Sequence, residues 1–157
     1  MEKILAAINP VKTNFNACIH ALNLAKRIKA KVLLLLVFSM PAREMKNFLK
    51  EEIAAPVKRR LDSFIEEGRS DGIDVDYYLV YGDFESETVS FIQENRITIL
   101  VVESPPAGGQ LAEDFKFFLE RIRHRINCRI EVVNEKPVLT ERKEDSSVAS
   151  LPTNRGK

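Results

Sequence analysis

The chain has 157 residues, of which 45% are hydrophobic and 30% charged, and its formal net charge at pH 7 is +1. This length fits one domain of ordinary size, and the composition is normal for a soluble globular protein. The small net charge gives no global reason to expect nucleic acid or an anionic membrane as a partner. The longest apolar block, residues 32–38, is far too short to cross a bilayer.

The cysteines and the first residues indicate the compartment. Cys18 and Cys128 are isolated thiols without the spacing of metal ligands or of a redox pair, which suits a reducing cytosol. The opening MEKILAAINP turns polar after one short apolar run and does not resemble a signal peptide. We therefore expect a cytoplasmic protein with no membrane segment, no metal and no other cofactor.

The first residues predict a strand, a helix and a second strand. Lys3–Ile8 is a short apolar strand that ends before Pro10, and Thr13 or Asn14 is a suitable N-cap for the next helix. Residues 32–38 are apolar at every position, which is typical of a parallel strand covered on both faces. The apolar positions of the intervening helix recur at helical spacing and are Cys18, Ala21, Leu22, Ala25 and Ile28.

A long helical region, residues 42–67, follows the second strand. Gly68 is a plausible end for it, and Pro56 should kink it or divide it in two. Residues 73–81 then alternate in the manner of a half-exposed edge strand. The repeating apolar positions are Ile53, Val57, Leu61 and Ile65 in the helical region, and Ile73, Val75, Tyr77, Leu79 and Tyr81 in the strand.

The remaining elements repeat the same alternation. Asp83 is a natural N-cap for a helix that ends near Asn95. Residues 97–102 are predicted to be the central strand of the second half, and residues 129–133 the final strand. The helix between them, residues 111–127, has the clearest apolar stripe in the chain, formed by Leu111, Phe115, Phe118, Leu119, Ile122 and Ile126.

This alternation predicts an α/β fold with five strands. Right-handed crossovers on both faces favour a doubly wound, Rossmann-like parallel sheet of order 3-2-1-4-5. The winding direction changes between strands 1 and 4, so a ligand cleft should lie there, between residues 9–14 and 103–110. We expect residues 1–137 to form the domain and the polar residues 138–157 to form a flexible tail.

Three stretches of the chain resemble the universal stress protein family, over about residues 2–136. They are KILAAINPVKTNFNACIHALNLAKRIKAKVLLLLVF, YGDFESETVSFIQENRITILVVES and LERIRHRINCRIEVVNEKP. They are similar, in order, to the family's first strand, first helix and second strand, to its glycine-aspartate helix start with the fourth strand, and to its last helix and final strand. The resemblance implies the same fold and a homodimer.

ATP-binding members of that family carry a glycine-rich signature after the fourth strand, and this chain departs from it. Glu103 and Pro106 stand at the first two glycine positions. Lys116 and Phe117 stand where a glycine-serine pair would be, and Asn9 replaces an aspartate. A carboxylate would repel a triphosphate, proline removes an N–H donor, and Phe117 would fill the phosphate space if it pointed into the cleft. The resemblance therefore implies a member that does not bind ATP in the usual mode.

The first functional hypothesis is a non-catalytic stress protein that dimerises and engages another protein, whose identity the sequence does not give. The last strand lies at the sheet edge, where its unpaired N–H and C=O groups need a partner. Pairing with its twin would give a two-fold dimer, as the family implies. The residues of this dimer edge are Ile130, Val132 and Val133.

The second hypothesis keeps a ligand in the cleft, either a nucleotide such as ATP or AMP without a full phosphate cradle or another small metabolite. Lys116 and a displaced Gly108-Gly109 turn argue for it. The candidate cleft residues are Asn9, Val37, Val102, Glu103, Ser104, Gly108, Gly109 and Lys116.

Other kinds of site find less support. His20 and His124 lie on separate helices and are best interpreted as surface residues, and the arginines around His124 as a solvated helix face. Ser86 and Ser104 are cap or loop residues. A phosphoacceptor receiver domain would need acidic residues for Mg²⁺ after strand 1, where residues 7–9 are AIN, and an ATPase would need a base or metal ligand that no residue suggests.

Overall fold

A computed structural model of the protein describes residues 2–10, 15–39, 43 and 54–134. These residues form five strands and four helices, which we number in chain order. The strands are β1 (Lys3–Ile8), β2 (Lys31–Phe38), β3 (Val75–Tyr81), β4 (Ile99–Ser104) and β5 (Arg129–Asn134). The helices are α1 (Asn16–Ile28), α2 (Ala54–Ser70), α3 (Phe84–Asn95) and α4 (Gly109–Arg123).

The strands form one parallel sheet of order β3-β2-β1-β4-β5, which confirms the predicted fold class and strand order. β1 is central, pairing Ile4 with Val32 of β2 and with Ile99 of β4. The interior of β1 and β2 is fully apolar because both strands are covered on both faces.

Two helical layers cover the sheet. Ile4, Ala6 and Ile8 of β1 pack with α1 and α2, whereas Leu5 and Ala7 pack with α3 and α4. The layers follow from right-handed crossovers, since the chain winds from β1 to β3 in one direction and from β3 to β5 in the other. The β3-to-β4 connection therefore carries α3 back across the sheet.

Helix α1 begins later and is less completely buried than the sequence predicts. It starts at Asn16 after Phe15, whose φ of 62° lies in the left-handed region, and Thr13 and Asn14 lie outside the described residues. The predicted apolar positions are buried except for Ile28, which is 40% exposed because it ends the helix beyond the packed turns.

Helix α2 corrects the interpretation of Gly68. The helix continues through Gly68 to Ser70, so this glycine does not end it. A Cβ at Gly68 would overlap Cγ2 of Val75, so the glycine instead permits close contact between α2 and β3. Pro56 is the third described residue of the helix, and the structure does not test whether it kinks or divides the helical region. Residues 44–53, including Ile53, lie outside the described part.

The edge position of β3 is confirmed, but its alternation is wrong. Tyr77, Tyr78 and Leu79 are successive residues with 39%, 41% and 43% of their surface exposed. Both faces are partly open because the helices cover the middle of the sheet more fully than its edge. The ring of Tyr78 packs against Phe91 of α3, with 5.1 Å between the centroids.

The last elements are offset from their predicted bounds. β4 covers Ile99–Ser104, two residues later than predicted, because Ile97 and Thr98 belong to the turn that leads into it. α4 ends at Arg123 instead of residue 127, and Leu111 is 63% exposed at the cleft end of its stripe. The predicted tail, residues 138–157, lies outside the described residues. Among the described residues, no helix is long and apolar enough to span a membrane.

Candidate functional site

A cavity of about 570 Å³ opens at the carboxyl ends of β1 and β4. This is the edge where the winding direction changes, and where α/β sheets usually bind ligands. The chain reaches it through the ends of β1 and β4, the start of α3, and the loop that leads into α4. The residues that line it are Ala7, Ile8, Asn9, Asp83, Phe84, Glu85, Val102, Glu103, Ser104, Pro105, Pro106, Leu111, Asp114, Phe115, Phe118 and Arg121.

Aromatic side chains form one wall of the cavity. Phe118 of α4 is buried, and its ring centroid lies 5.6 Å from Phe84 and 5.9 Å from Phe115. Leu111 and the prolines of the β4–α4 loop extend this apolar surface toward solvent. Such a wall contacts the flat or aliphatic part of a ligand.

Among the described residues that line the cavity, the charged side chains are four carboxylates and one guanidinium. Glu85 of α3 accepts hydrogen bonds from Arg121 at 2.8 Å and from Arg125 at 3.1 Å, so the guanidinium of Arg121 is already paired. Asp114 accepts from the side chain of Gln110 at 2.8 Å.

Asp83 caps α3, as the sequence predicts. Its carboxylate accepts a hydrogen bond from the backbone N–H of Ser86 at 2.9 Å, and this bond lowers the pKa of Asp83 below its usual value. The capping carboxylate therefore stays ionised near neutral pH and adds a fixed negative charge to the cavity.

Four of the eight candidate cleft residues line this cavity, namely Asn9, Val102, Glu103 and Ser104. Val37 is instead fully buried within β2. Gly108 and Gly109 are exposed at the start of α4, at φ values of 86° and 84°, and do not line the cavity. Lys116 lies outside it as well, on an exposed part of α4.

Phe117 does not fill the cavity, because it is 55% exposed and is not among the lining residues. The hydroxyl of Ser104 donates to the side-chain oxygen of Asn134 at 3.0 Å, consistent with a loop residue held to β5. Whether the cleft residues bind a ligand stays a prediction.

The sequence reasoning missed the contribution of α3 and the cleft role of the α4 stripe. Asp83 was expected only as a cap, and Phe115 and Phe118 only as core residues. The available signal was the strand order itself. Because the β3-to-β4 connection must recross the sheet, the start of α3 is brought to the ends of β1 and β4.

The predicted dimer edge lies where expected, on the outermost strand β5. Val132 is 41% exposed, while Val133 packs toward the α1 layer and Ile130 toward the α4 layer. His20 of α1 contacts this strand, with 2.6 Å between its Nε2 and Oε1 of Glu131. His20 is thus not a solitary surface residue.

The arginines around His124 are largely neutralised by acidic partners. Arg121 and Arg125 share Glu85, and Arg129 pairs with Glu131 at 2.8 Å. These pairs support the interpretation of a solvated helix face. In the described residues, no group of three or more His, Cys, Asp or Glu side chains could hold a metal ion.

No family model and no curated protein matches the sequence. Solved structures do match. The universal stress protein UspA from Lactobacillus plantarum is 15% identical, with a TM-score of 0.64 over 84% of this chain and 97% of that one. An Archaeoglobus fulgidus universal stress protein in complex with dAMP is 14% identical, with a TM-score of 0.57 over 85% and 98%.

A third match is a universal stress family protein from Arabidopsis thaliana with AMP bound. It is 17% identical, with a TM-score of 0.56 over 87% of this chain and 93% of that one. In each case the match covers nearly all of the other protein and most of this chain. At these identities the likeness concerns the backbone, and it agrees with the sheet order described above. The chain therefore has the fold of the universal stress proteins.

Proposed function

We propose that this chain is a cytoplasmic universal stress protein that dimerises through β5 and acts through contacts with other proteins. In this proposal it carries out no catalysis and does not hold ATP in the family's usual mode. The shared fold and the three sequence stretches that resemble the family support the assignment.

The acidic lining of the cavity is the observation that carries the proposal. Glu103 lies at the end of β4, at the position where ATP-binding relatives have the first glycine of their signature, and it lines the cavity with three other carboxylates. At partly buried sites, repulsion between like charges costs kilocalories per mole. Arg121 offers little compensation, because it is paired with Glu85. A triphosphate would therefore be bound poorly.

The edge strand supports dimerisation. Within the described residues β5 is an end strand of the sheet, and Val132 on it is 41% exposed, so this edge offers backbone groups and an apolar side chain to a partner. Pairing with the same strand of a second copy would satisfy those groups and bury that side chain.

A second candidate function is binding of an adenine nucleotide in the cavity. Two proteins with the same fold hold AMP or dAMP, and the aromatic wall of this cavity suits a purine ring. AMP carries fewer phosphate charges than ATP and would meet less repulsion.

Thermal unfolding with and without Mg-ATP, Mg-ADP and AMP tests the ligand part of this proposal. Ligand at a hundred times its dissociation constant adds about 2.7 kcal/mol of stability, which a melting curve detects easily. No shift with Mg-ATP supports the proposal, and a clear shift contradicts it. A shift with AMP alone supports the second candidate.

Sedimentation velocity of Val132→Lys tests the dimer. The control is Leu79→Lys on the opposite edge strand, since Leu79 is 43% exposed against 41% for Val132. We expect the Val132 variant to sediment as a monomer at concentrations where the control and the unchanged protein are dimers. Equal dimerisation of all three would place the interface elsewhere.

A further inference from the structure

We infer that β5 pairs antiparallel with β5 of a second copy and that the two-fold axis of the dimer passes through Val132. In this register Val132 lies opposite Val132 of the partner subunit, and Ile130 lies opposite Asn134 of the partner subunit. This pairing rests on the proposed dimer and goes beyond it, because it assigns the register and identifies Glu131 as the residue that determines it.

The backbone of β5 directs every second residue toward the open edge of the sheet. β5 runs parallel to β4, and the N–H of Arg129 donates to the C=O of Thr98 at 3.1 Å, so Arg129 directs its backbone groups toward β4. Because the backbone groups of successive residues in a strand point to opposite sides, those of Ile130, Val132 and Asn134 point away from β4. These three residues are the ones that can bond to a second copy.

The two faces of β5 restrict the register further. Ile130 packs with the layer of α3 and α4, whereas Val133 packs with the layer of α1 and α2. Glu131 lies on the same face as Val133, because it contacts His20 of α1. A two-fold axis perpendicular to the sheet joins like faces, so each residue lies opposite a residue of the same face. The axis must therefore pass through a residue and cannot pass midway between two.

Hydrogen bonding favours an axis near the middle of the strand. With the axis at Val132, all three outward-directed residues of β5 lie opposite outward-directed residues of the second copy. With the axis at Ile130, Val132 would lie opposite position 128, which precedes the strand. With the axis at Asn134, Ile130 would lie opposite position 138, beyond the described strand. The positions 131 to 133 are left as candidates.

The charge of Glu131 separates these three positions. An axis at Glu131 would set its carboxylate directly opposite the same carboxylate of the second copy, and like charges in that position are destabilising. An axis at Val133 would set Glu131 opposite position 135, which is also a glutamate. An axis at Val132 sets Glu131 opposite Val133, which keeps the carboxylates apart. It also sets Arg129 opposite position 135, which brings opposite charges together.

The contacts of Glu131 fix its carboxylate beside the edge. Nε2 of His20 lies 2.6 Å from one oxygen, and Arg129 donates to the other at 2.8 Å. The hydrogen bond with His20 also lowers the pKa of Glu131, so the carboxylate is ionised near neutral pH. Glu131 cannot turn away from a second carboxylate without breaking these contacts, so its charge excludes the registers centred on residues 131 and 133.

Single-cysteine variants measure the register directly. Ile130→Cys, Val132→Cys and Asn134→Cys are each made in full-length protein in which Cys18→Ala and Cys128→Ser remove the other thiols, and a melting curve verifies that each variant is folded. Under mild oxidation we expect the Val132 variant to form a covalent dimer about tenfold or more faster than the other two, because its Cα atoms lie about 5.5 Å apart. The other two positions lie about 14 Å from their own copies along the strand, too far for a disulfide.

Mixtures of two variants identify the other registers, since mass spectrometry separates cross-linked heterodimers from homodimers. The mixture of Ile130→Cys with Asn134→Cys should give a heterodimer, as an axis at Val132 requires. A heterodimer of the Ile130 and Val132 variants would place the axis at Glu131, and one of the Val132 and Asn134 variants would place it at Val133. Either result, or self-linking of the Ile130 or Asn134 variant, would overturn the inference.

The role of Glu131 is tested in the same mixtures. Glu131→Gln in both subunits removes the repulsion, and we expect the heterodimer of the Ile130 and Val132 variants to increase about two- to fivefold. Glu94→Gln, at an exposed glutamate of α3, is the matched control and should leave the products unchanged. Unchanged products with Glu131→Gln would show that this carboxylate does not determine the register.

Sedimentation velocity of the cysteine-free protein separates failure of the register from failure of the proposed function. A dimer whose cross-links place the axis at another residue contradicts the register and leaves the β5 dimer standing. A dimer that cross-links at none of the three positions, or a monomer, would overturn both the register and the proposed dimer through β5.

Discussion

Nε2 of His20 in α1 lies 2.6 Å from Oε1 of Glu131 in β5, and the imidazole donates to the carboxylate across the edge of the sheet. Arg129 holds the other carboxylate oxygen at 2.8 Å. Each oxygen of the Glu131 carboxylate therefore has a partner, His20 on one and Arg129 on the other. The contact with His20 links the edge strand, which is proposed to form the dimer, to the helical layer of α1. This arrangement orients β5 for the pairing proposed above.

The contact makes stability depend on pH. The hydrogen bond from His20, followed by the charge of Arg129, lowers the pKa of Glu131 from its usual value of 4.5. A carboxylate with a depressed pKa stabilises the folded state fully above its unfolded pKa, and this contribution is lost as the pH falls through the folded pKa. The contribution of Glu131 should therefore be complete at pH 7 and disappear below pH 4.5.

Urea unfolding of Glu131→Gln checks this expectation. We expect the variant to lose about 1 kcal/mol of unfolding free energy at pH 7, which is typical of a partly exposed charged hydrogen bond. The difference in stability between the variant and the unchanged protein should shrink steadily as the pH falls below 4.5, the usual pKa of a glutamate. Glu94→Gln, an exposed glutamate of α3, is the control. A difference that stays constant down to pH 3 would show that the charge of Glu131 does not stabilise the fold.

Glu85 joins α3 to Arg121 in the last turn of α4 and to Arg125 just after that helix, at 2.8 Å and 3.1 Å. We expect Glu85→Gln to destabilise the protein by about 1 kcal/mol, since two partly exposed pairs are lost at once. The difference in unfolding free energy between the variant and the unchanged protein should become smaller in 1 M NaCl, where the screening length is about 3 Å. Urea unfolding of both proteins at low and high salt measures this difference. A difference that does not depend on salt would argue against a charge effect.

The strands of the sheet and their order were predictable because short apolar runs of the sequence identify the strands. The apolar runs of β1 and β2 identify buried parallel strands, and handedness then restricts the order of the strands. Asn9, Val102, Glu103 and Ser104 were predicted at the cleft for the same reason, because they directly follow or end strands that meet at the switch point.

The other half of the cavity depends on tertiary placement. Phe115 and Phe118 follow the helical period of a core stripe, and the period does not show that one end of the stripe faces a cavity. Lys116 and Val37 were also predicted at the cleft. Lys116 lies on an exposed part of α4, and Val37 is buried within β2.

Replacing Gly68 by alanine has two opposing effects on the stability of the protein. Replacing a helical glycine by alanine adds up to about 1 kcal/mol of helix propensity. A Cβ at this position would overlap Cγ2 of Val75, and overpacking typically costs about 1–3 kcal/mol. We therefore expect Gly68→Ala to be destabilising on balance.

The double variant Gly68→Ala with Val75→Ala separates the two effects. Removing the Val75 methyl groups relieves the overlap, so the double variant should be more stable than the sum of the two single variants by about 1 kcal/mol or more. Chemical denaturation of all four proteins measures the coupling. Additive losses would mean that the overlap with Val75 is not the cause.

The two free cysteines should differ sharply in reactivity. Burial, followed by the charge of Glu103, raises the pKa of the Cys18 thiol to about 12, whereas Cys128 is partly exposed and its pKa is raised chiefly by partial burial. The thiolate is the reactive form, so Cys18 is both buried and about one part in ten thousand ionised at pH 8.

We expect Ellman's reagent at pH 8 to modify one thiol slowly in the folded protein, and both thiols in denaturant. Cys128→Ser should abolish the slow reaction of the folded protein without changing its melting temperature much. If that variant still reacts in the folded state, then the α1 layer opens far more often than the packing around Cys18 implies.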